Sequence, residues 1–437
     1  MEKLLFFLSL LMYGLAPSKF SYEFCVISVI VFFLGFFVII RNDKNEKIGF
    51  NLLFSIAFFS ANYIYPIFVY PIFPTFSIFS HEINYNVISK ATALATFAYM
   101  CYVYGYIYQL KKKKSPACSS EITIITNNQI RFSIILELLL FFAFVVSGGM
   151  EMFTEMYEKA GHSVNPIASF VYLVFYNFTL FVTIANINVN NKWLYAIILL
   201  ICALLFSTGT RTLPLVVLSV LFCRFCQTRN FSYKKILLSL LAGFIVLTAV
   251  GQFRGSSSDN VTMENEELGY VASAKDFIVV TRNLYDIYDH VQKEGITYGV
   301  SELGYVLAAI PFAQSIVINL FGLDPHLLRS ESMTTYWLFG KDAPVGLGTN
   351  IVGDVYLAYG FLGVMLLFYF LGRFVMYSRT KGMMGVWQYF IVYYVLISGA
   401  IFMCRGSFFY SLKNIVWTIL FAYLFQKYIG HRKYVNR

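Results

Sequence analysis

The chain has 437 residues, of which 58% are hydrophobic, 19% aromatic and only 13% charged, and its mean hydropathy is +0.66. Soluble domains carry about 25% charged residues, so this composition cannot cover a soluble surface. It excludes an ordinary soluble enzyme, a disordered chain and a disulfide scaffold. What remains is an all-α polytopic membrane protein.

A bilayer core of about 30 Å needs roughly 20 apolar residues per helix, each rising about 1.5 Å. Such stretches fall near 4–16, 21–40, 48–73, 88–109, 132–147, 166–187, 193–207, 212–224, 236–253, 351–372, 385–404 and 409–426, which predicts about 12 transmembrane helices (11–13). Runs such as Val26 to Ile40 are continuously apolar, whereas outer-membrane strands alternate. The chain then divides into membrane helices 1–9 (1–253), one long loop (254–350), and helices 10–12 with a basic tail (351–437).

Basic residues set the orientation. With the amino terminus inside, Lys3, Arg41, the run Lys111 to Lys114, Arg131, Lys234, Lys235, Arg373, Arg379 and the tail all fall on the cytoplasmic side. Both termini are expected there. The net charge of +10 is thus a topology device meeting anionic lipid heads, and no nucleic acid is implied. Met1 to Pro17 lacks a convincing small-residue cleavage site and reads as a helix. Cys223 and Cys226 form a lone C-x-x-C without a second pair or a nearby His, so they read as small apolar filling.

The loop 254–350 carries twelve of the 23 acidic residues, with Arg254, Arg282, Arg329 and many aromatic rings. A structureless loop of this length is unusual, so ordered structure is expected. Residues 271–293 have mixed charge at apolar spacing and predict a surface helix. Residues 301–322 are apolar and predict an interfacial or re-entrant helix. Rings beside carboxylates and arginines suit sugars, and Tyr336 and Trp337 are candidates. Packing of the same rings onto the membrane is the competing explanation.

Five arginines fall on the face opposite the positive one: Arg211, Arg254, Arg282, Arg329 and Arg405. A charge near the end of a span is costly unless paired or wetted, and is therefore a functional candidate. The guanidinium fork clasps phosphate oxygens bidentately, so these five are candidates for binding a lipid pyrophosphate. Snorkelling or pairing with loop acids competes with that reading. Gly346-Leu347-Gly348-Thr349-Asn350 then leads into a helix whose first turn carries Asp354, where the helix dipole favours an ionised carboxylate.

Taken together, the Ser207-Thr208-Gly209-Thr210-Arg211 turn, the Phe253-Arg254-Gly255 exit, the long loop and the Gly-x-Gly-Thr-Asn-x-x-Gly-Asp354-x-Tyr start resemble the Wzy-type O-antigen polymerases (oligosaccharide repeat unit polymerases). Arg329 and Gly340, with ten residues between them, resemble a pattern of some members. The family often has Glu where this chain has Asp354. The resemblance implies a bacterial inner-membrane glycosyltransferase with its active site facing the periplasm. Such an enzyme moves the growing glycan from undecaprenyl pyrophosphate to the non-reducing end of an incoming lipid-linked repeat unit.

Its partners would be those lipid-linked units, membrane lipid and a chain-length regulator (a co-polymerase). Preorganised arginines such as Arg211 and Arg254 would stabilise the departing pyrophosphate, and Asp354, Glu302 and His290 are candidates for the base that activates the acceptor hydroxyl. The outer loops hold no D-x-D or His/Asp cluster, so neither a metal nor another cofactor is expected. An O-antigen ligase acting on lipid A core and a lipid-linked oligosaccharide flippase are the alternatives. The absence of two repeated halves speaks against the flippase.

Overall fold

The computed structural model describes residues 1–74 apart from 44, 45 and 47, then 83–112, 124–150, 166–229 apart from 209, 231–239 apart from 233 and 237, 243, 269–340, 343 and 346–429. Every regular element among the described residues is helical. In chain order these are α1 (Glu2–Gly14), α2 (Tyr22–Asn42), α3 (Phe50–Ile64, prolonged by a wide turn to Val69), α4 (Ile88–Lys111), α5 (Asn127–Val146), α6 (Pro166–Val189), α7 (Lys192–Ser207) and α8 (Thr212–Thr228). Then come α9 (Gly269–Glu294), α10 (Leu303–Leu307), α11 (Ala313–Phe321), α12 (Ser330–Phe339), α13 (Ile351–Met383), α14 (Trp387–Arg405) and α15 (Tyr410–Leu424).

Six helices are long and apolar enough to cross a bilayer: Tyr22–Asn42, Phe50–Val69, Gln129–Val146, Pro166–Val189, Ile351–Met383 and Trp387–Arg405. They account for six of the 12 expected stretches. Helices α1, α7, α8 and α15 stand where expected but have only 13, 16, 17 and 15 residues. The expected span 236–253 lies largely outside the described residues. The 24-residue α4 is long enough but less apolar, and its packing explains why.

The chain forms two compact units. The first comprises Met1–Lys114, Asn260–Tyr377 and Gly399–Lys413. Here α4 is buried along nearly its whole length and packs against α1, α2, α3 and α9. A helix surrounded by protein need not be lipid-like, and α4 uses this freedom to carry tyrosines. Tyr99 shares a hydrogen bond of 2.7 Å with Ser55, Tyr102 donates to Asn51, and Tyr106 donates to Asp43. Buried hydroxyls need such partners where water is absent.

Helix α4 also meets α13 at backbone distance. A Cβ at Gly105 would lie 2.0 Å from the Tyr369 carbonyl oxygen, and one at Gly372 would lie 2.1 Å from that of Tyr102. Small residues permit this approach of two membrane helices.

The segment 271–293, expected on the surface, instead has its middle buried. Ile278, Thr281, Asn283, Leu284, Tyr285 and Ile287 are each at most 1% exposed. Its apolar spacing faces α3 and α4, and Thr281 donates to the Ala61 carbonyl in α3 at 2.7 Å.

The second unit comprises Ser115–Asp259, Ser378–Ser398 and Asn414–Arg437. Thr126 and Gln129 cap α5 reciprocally, a known start signal. The Glu137 carboxylate on α5 is fully buried and accepts from the Thr179 hydroxyl on α6 at 2.7 Å. Cys223 and Cys226 lie buried on α8.

Substituting Gly105→Ala or Gly372→Ala should destabilise the purified protein through overpacking, by roughly 1–3 kcal/mol. Thermal melts in detergent check this, and unchanged melting of both variants would contradict the close approach.

Candidate functional site

The site begins with a backbone problem. Helix α13 is broken at Gly360, whose φ of 65° and ψ of −160° are far from helical. Glycine tolerates that conformation at no steric cost. The break frees carbonyls of the preceding turn, which would be costly in an apolar setting. The segment before α10 supplies donors: the Thr297 N–H bonds the Leu357 carbonyl at 2.8 Å, and the Gly299 N–H bonds that of Ala358 at 3.0 Å. Gly299 turns with a φ of 86°, and the chain then delivers Glu302.

The start of α13 is fixed just as firmly. Asn350 caps the helix, its Oδ1 accepting from the Val352 N–H at 2.9 Å. The preceding turn is held by Asn283, which donates to the Leu347 and Gly348 carbonyls at 3.1 Å each. Thr334 also donates to the Gly348 carbonyl, at 2.8 Å. Gly348 has a φ of 68°, as a tight turn here requires. One turn later stands Asp354, 0% exposed.

Asp354 and Glu302 meet. The Ser330 hydroxyl donates to Asp354 Oδ1, and the Phe408 N–H donates to Oδ2 at 2.8 Å. The Ser407 hydroxyl donates to Glu302 Oε2 at 3.0 Å and accepts from the Phe409 N–H at 3.0 Å. Glu302 Oε1 has no conventional donor facing it, and Asp354 is within hydrogen-bonding reach. Burial, and then the charge of Asp354, push the Glu302 carboxyl well above the ordinary carboxylate range. A proton retained on Glu302 and donated to Asp354 satisfies both groups.

Beside the pair lies a cationic rim. Arg329 Nη2 donates to Gln314 Oε1 at 2.7 Å, Nη1 lies 3.5 Å from Glu331 Oε1, and the guanidinium sits 5.5 Å from the centre of the Tyr305 ring. Gly304 is required for this approach, because a Cβ there would be 2.5 Å from Arg329 Cγ. Lys413, in the first turn of α15, adds a second positive charge within electrostatic reach of Arg329 and Glu331. The side chains of Arg329 and Glu331 are 29% and 36% exposed. The rim is therefore open while the carboxyl pair is closed.

The other expected residues are placed elsewhere. Arg282 is 1% exposed and lies 3.2 Å from Asp286 one turn on, inside the packing of α9. His290 stacks on Trp337 at 4.2 Å, and Tyr336 on His326 at 5.2 Å. Trp337 also packs against Ile287, Met333 and Leu357. Arg405 is exposed at the end of α14, and its carbonyl accepts from the Thr349 N–H at 3.3 Å. Arg211 belongs to the second unit, at the start of α8. Arg254 lies outside the described residues. Among the described residues, no group of three or more His, Cys, Asp or Glu side chains could hold a metal ion.

The sequence model of the family described as O-antigen polysaccharide polymerase Wzy matches residues 2–433. The chain belongs to that family. No curated protein and no solved structure matches it. The chain is accordingly a multi-pass membrane protein of the glycosyltransferase-type polymerases that build lipopolysaccharide. Four groups of the candidate site escape sequence reasoning: Ser330, Glu331, Ser407 and Lys413. Only Lys413 leaves a signal, as a charge in the first turn of an apolar helix. The other three depend on long-range packing.

The folded-state value of Glu302 lies above its unfolded one. Its stabilising contribution is thus complete below roughly pH 4 and is lost as pH rises into the alkaline range. Glu302→Gln keeps a donor toward Asp354 but cannot ionise. Melts from neutral to alkaline pH should show the variant losing less stability than the wild type, and parallel curves would contradict a proton held on Glu302.

Proposed function

We propose that this chain polymerises O-antigen by transferring the growing glycan from undecaprenyl pyrophosphate to the non-reducing end of an incoming lipid-linked repeat unit. It does so at the periplasmic face of the bacterial inner membrane, with both termini cytoplasmic and a co-polymerase setting chain length. The observation that carries the reading is the partly exposed cluster of Arg329, Glu331 and Lys413, fixed on a buried carboxyl pair at the head of a membrane helix. Family membership supports the polymerase and leaves the ligase and flippase readings without support.

In the reaction, an acceptor hydroxyl oxygen bonds to the anomeric carbon of the donor sugar. The bond from that carbon to the pyrophosphate oxygen breaks, and the pyrophosphate departs with the electron pair. Charge builds on the leaving oxygens, where Arg329 and Lys413 stabilise it from preset positions. Arg211, Arg254 and Arg405 are further candidates for phosphate contacts. The acceptor proton passes to Glu331, the accessible carboxylate of the cluster. Burial raises the Glu331 carboxyl, the charge of Asp354 adds to this and Arg329 opposes it; a carboxylate so placed can take the proton as a general base.

Asp354 at 0% and Glu302 at 2% exposure do not touch substrate in this arrangement. They hold Ser330 and Ser407, and with them the segments that bear Arg329, Glu331 and Lys413. His290, packed on Trp337, has no part in the step. The transfer needs no metal in this reading, because two cations already face the leaving group.

In a strain lacking the chromosomal copy, Arg329→Ala and Glu331→Gln at normal protein level should remove the lipopolysaccharide ladder and leave core bearing a single repeat unit. The loss of rate should be about 100-fold or more for Glu331→Gln. Arg329→Lys should restore only short ladders, since the bidentate fork is lost. A full-length ladder from both Arg329→Ala and Glu331→Gln would remove the cluster from the chemistry.

A further inference from the structure

The short helix α10 brings more to the site than the Glu302 that precedes it. Gly304 admits Arg329, and the next residue is Tyr305, whose ring centre lies 5.5 Å from the Arg329 guanidinium. The Tyr305 hydroxyl is enclosed and makes no conventional hydrogen bond with any described residue. Buried hydroxyls are rarely left so, and each such group calls for an explanation. Two acceptors stand within hydrogen-bonding reach of it: the Ser330 hydroxyl and the Glu331 carboxylate. Burial, and then the charges of Glu331 and Asp354, push the Tyr305 hydroxyl far above its ordinary value, so it stays neutral and keeps its proton.

That single proton has a preferred taker. Ser330 already gives its own proton to Asp354, so its oxygen offers Tyr305 only a neutral acceptor. An ionised Glu331 offers a charged one, and charge-assisted hydrogen bonds are roughly twice as strong. Once Glu331 is protonated this advantage ends, and the hydroxyl is left to Ser330. We propose that Tyr305 is a positioning residue of the transfer: its hydroxyl donates to the ionised Glu331 and aims that carboxylate at the acceptor, while its ring seats the Arg329 guanidinium at the leaving group. The roles of Glu331 and Arg329 rest on the polymerase reading. One side chain thereby fixes the spacing of base and cation, and it holds the base most firmly in the state that can accept a proton.

The test uses full-length protein in nanodiscs and lipid-linked repeat units extracted from a strain lacking the polymerase. Tyr305→Phe keeps the ring and removes the donor. Its kcat should fall by roughly 10- to 100-fold, with KM within about twofold of the wild type. Glu331 also faces Arg329 at 3.5 Å, with Asp354 and Lys413 in electrostatic reach, and the variant leaves all three in place. Loss of the Tyr305 donor disfavours the ionised form of Glu331, so the acidic limb of the rate profile should move to higher pH. Tyr305→Leu also removes the seat of Arg329 and should lose more activity than Tyr305→Phe.

Infrared spectra taken without substrate follow the Glu331 titration directly, through the carboxylic acid band that Glu331→Gln removes. Its midpoint should rise in Tyr305→Phe. An unchanged midpoint, an unmoved acidic limb, or equal losses in Tyr305→Phe and Tyr305→Leu would overturn the proposal. A raised midpoint together with wild-type protein that transfers no glycan would sink the polymerase reading alone, because the infrared measurement of the bond to Glu331 needs no substrate.

Discussion

The burial of the Glu302 carboxyl against that of Asp354 is the constraint on which the site depends. Two carboxyl groups at this depth cannot both be charged without a large electrostatic cost. With one proton between them, each becomes the other's partner. Each of the other three carboxyl oxygens then accepts one hydrogen bond, from Ser330, Ser407 or the Phe408 N–H. A fully satisfied buried network of this kind rigidifies what it joins. It joins four stretches of chain far apart in sequence: the turn before α10, the start of α12, the head of α13 and the link between α14 and α15.

The rest follows from bringing those stretches together. Gly360 breaks α13 so that its freed carbonyls recruit Thr297 and Gly299, which sets Glu302 opposite Asp354. Asn283 and Thr334 hold the Gly348 turn that starts α13. Gly304 admits Arg329, and Gly105 and Gly372 lock the far part of α13 against α4. Gly360 is needed for its positive φ, whereas Gly105, Gly372 and Gly304 stand where a backbone or a charged side chain passes too close for a Cβ. The open cationic rim is the outer edge of this frame.

Much of this was legible in the sequence, for reasons that can be stated. Continuous apolar runs mark helices whatever their partners, so the all-helical class and the positions of most helices follow directly. Span counting fails where packing replaces lipid: α4 carries tyrosines because protein surrounds it, and α9 looks like a surface helix because its buried face includes Thr281, Arg282 and Asn283. Asp354 and Glu302 stood out as acids in a helix head and a long loop. Their contact did not, because it spans 52 residues and depends on a break at Gly360. Ser330, Ser407 and Glu331 have ordinary identities and gain significance only from their neighbours. Arg282, His290 and Trp337 are chemically suggestive in the sequence, and the fold places Arg282 inside the packing of α9 and His290 against Trp337.

The most direct measurement is an infrared difference spectrum of the purified wild type against Glu302→Gln near neutral pH, in the carbonyl region of protonated carboxylic acids. The account predicts a carboxylic acid band in the wild type that is absent from the variant and that shifts in Asp354→Asn, where the acceptor of its hydrogen bond changes. A spectrum with no such band, or a band that survives in Glu302→Gln, would show that the pair does not share a proton and that the frame of the site is held by something else.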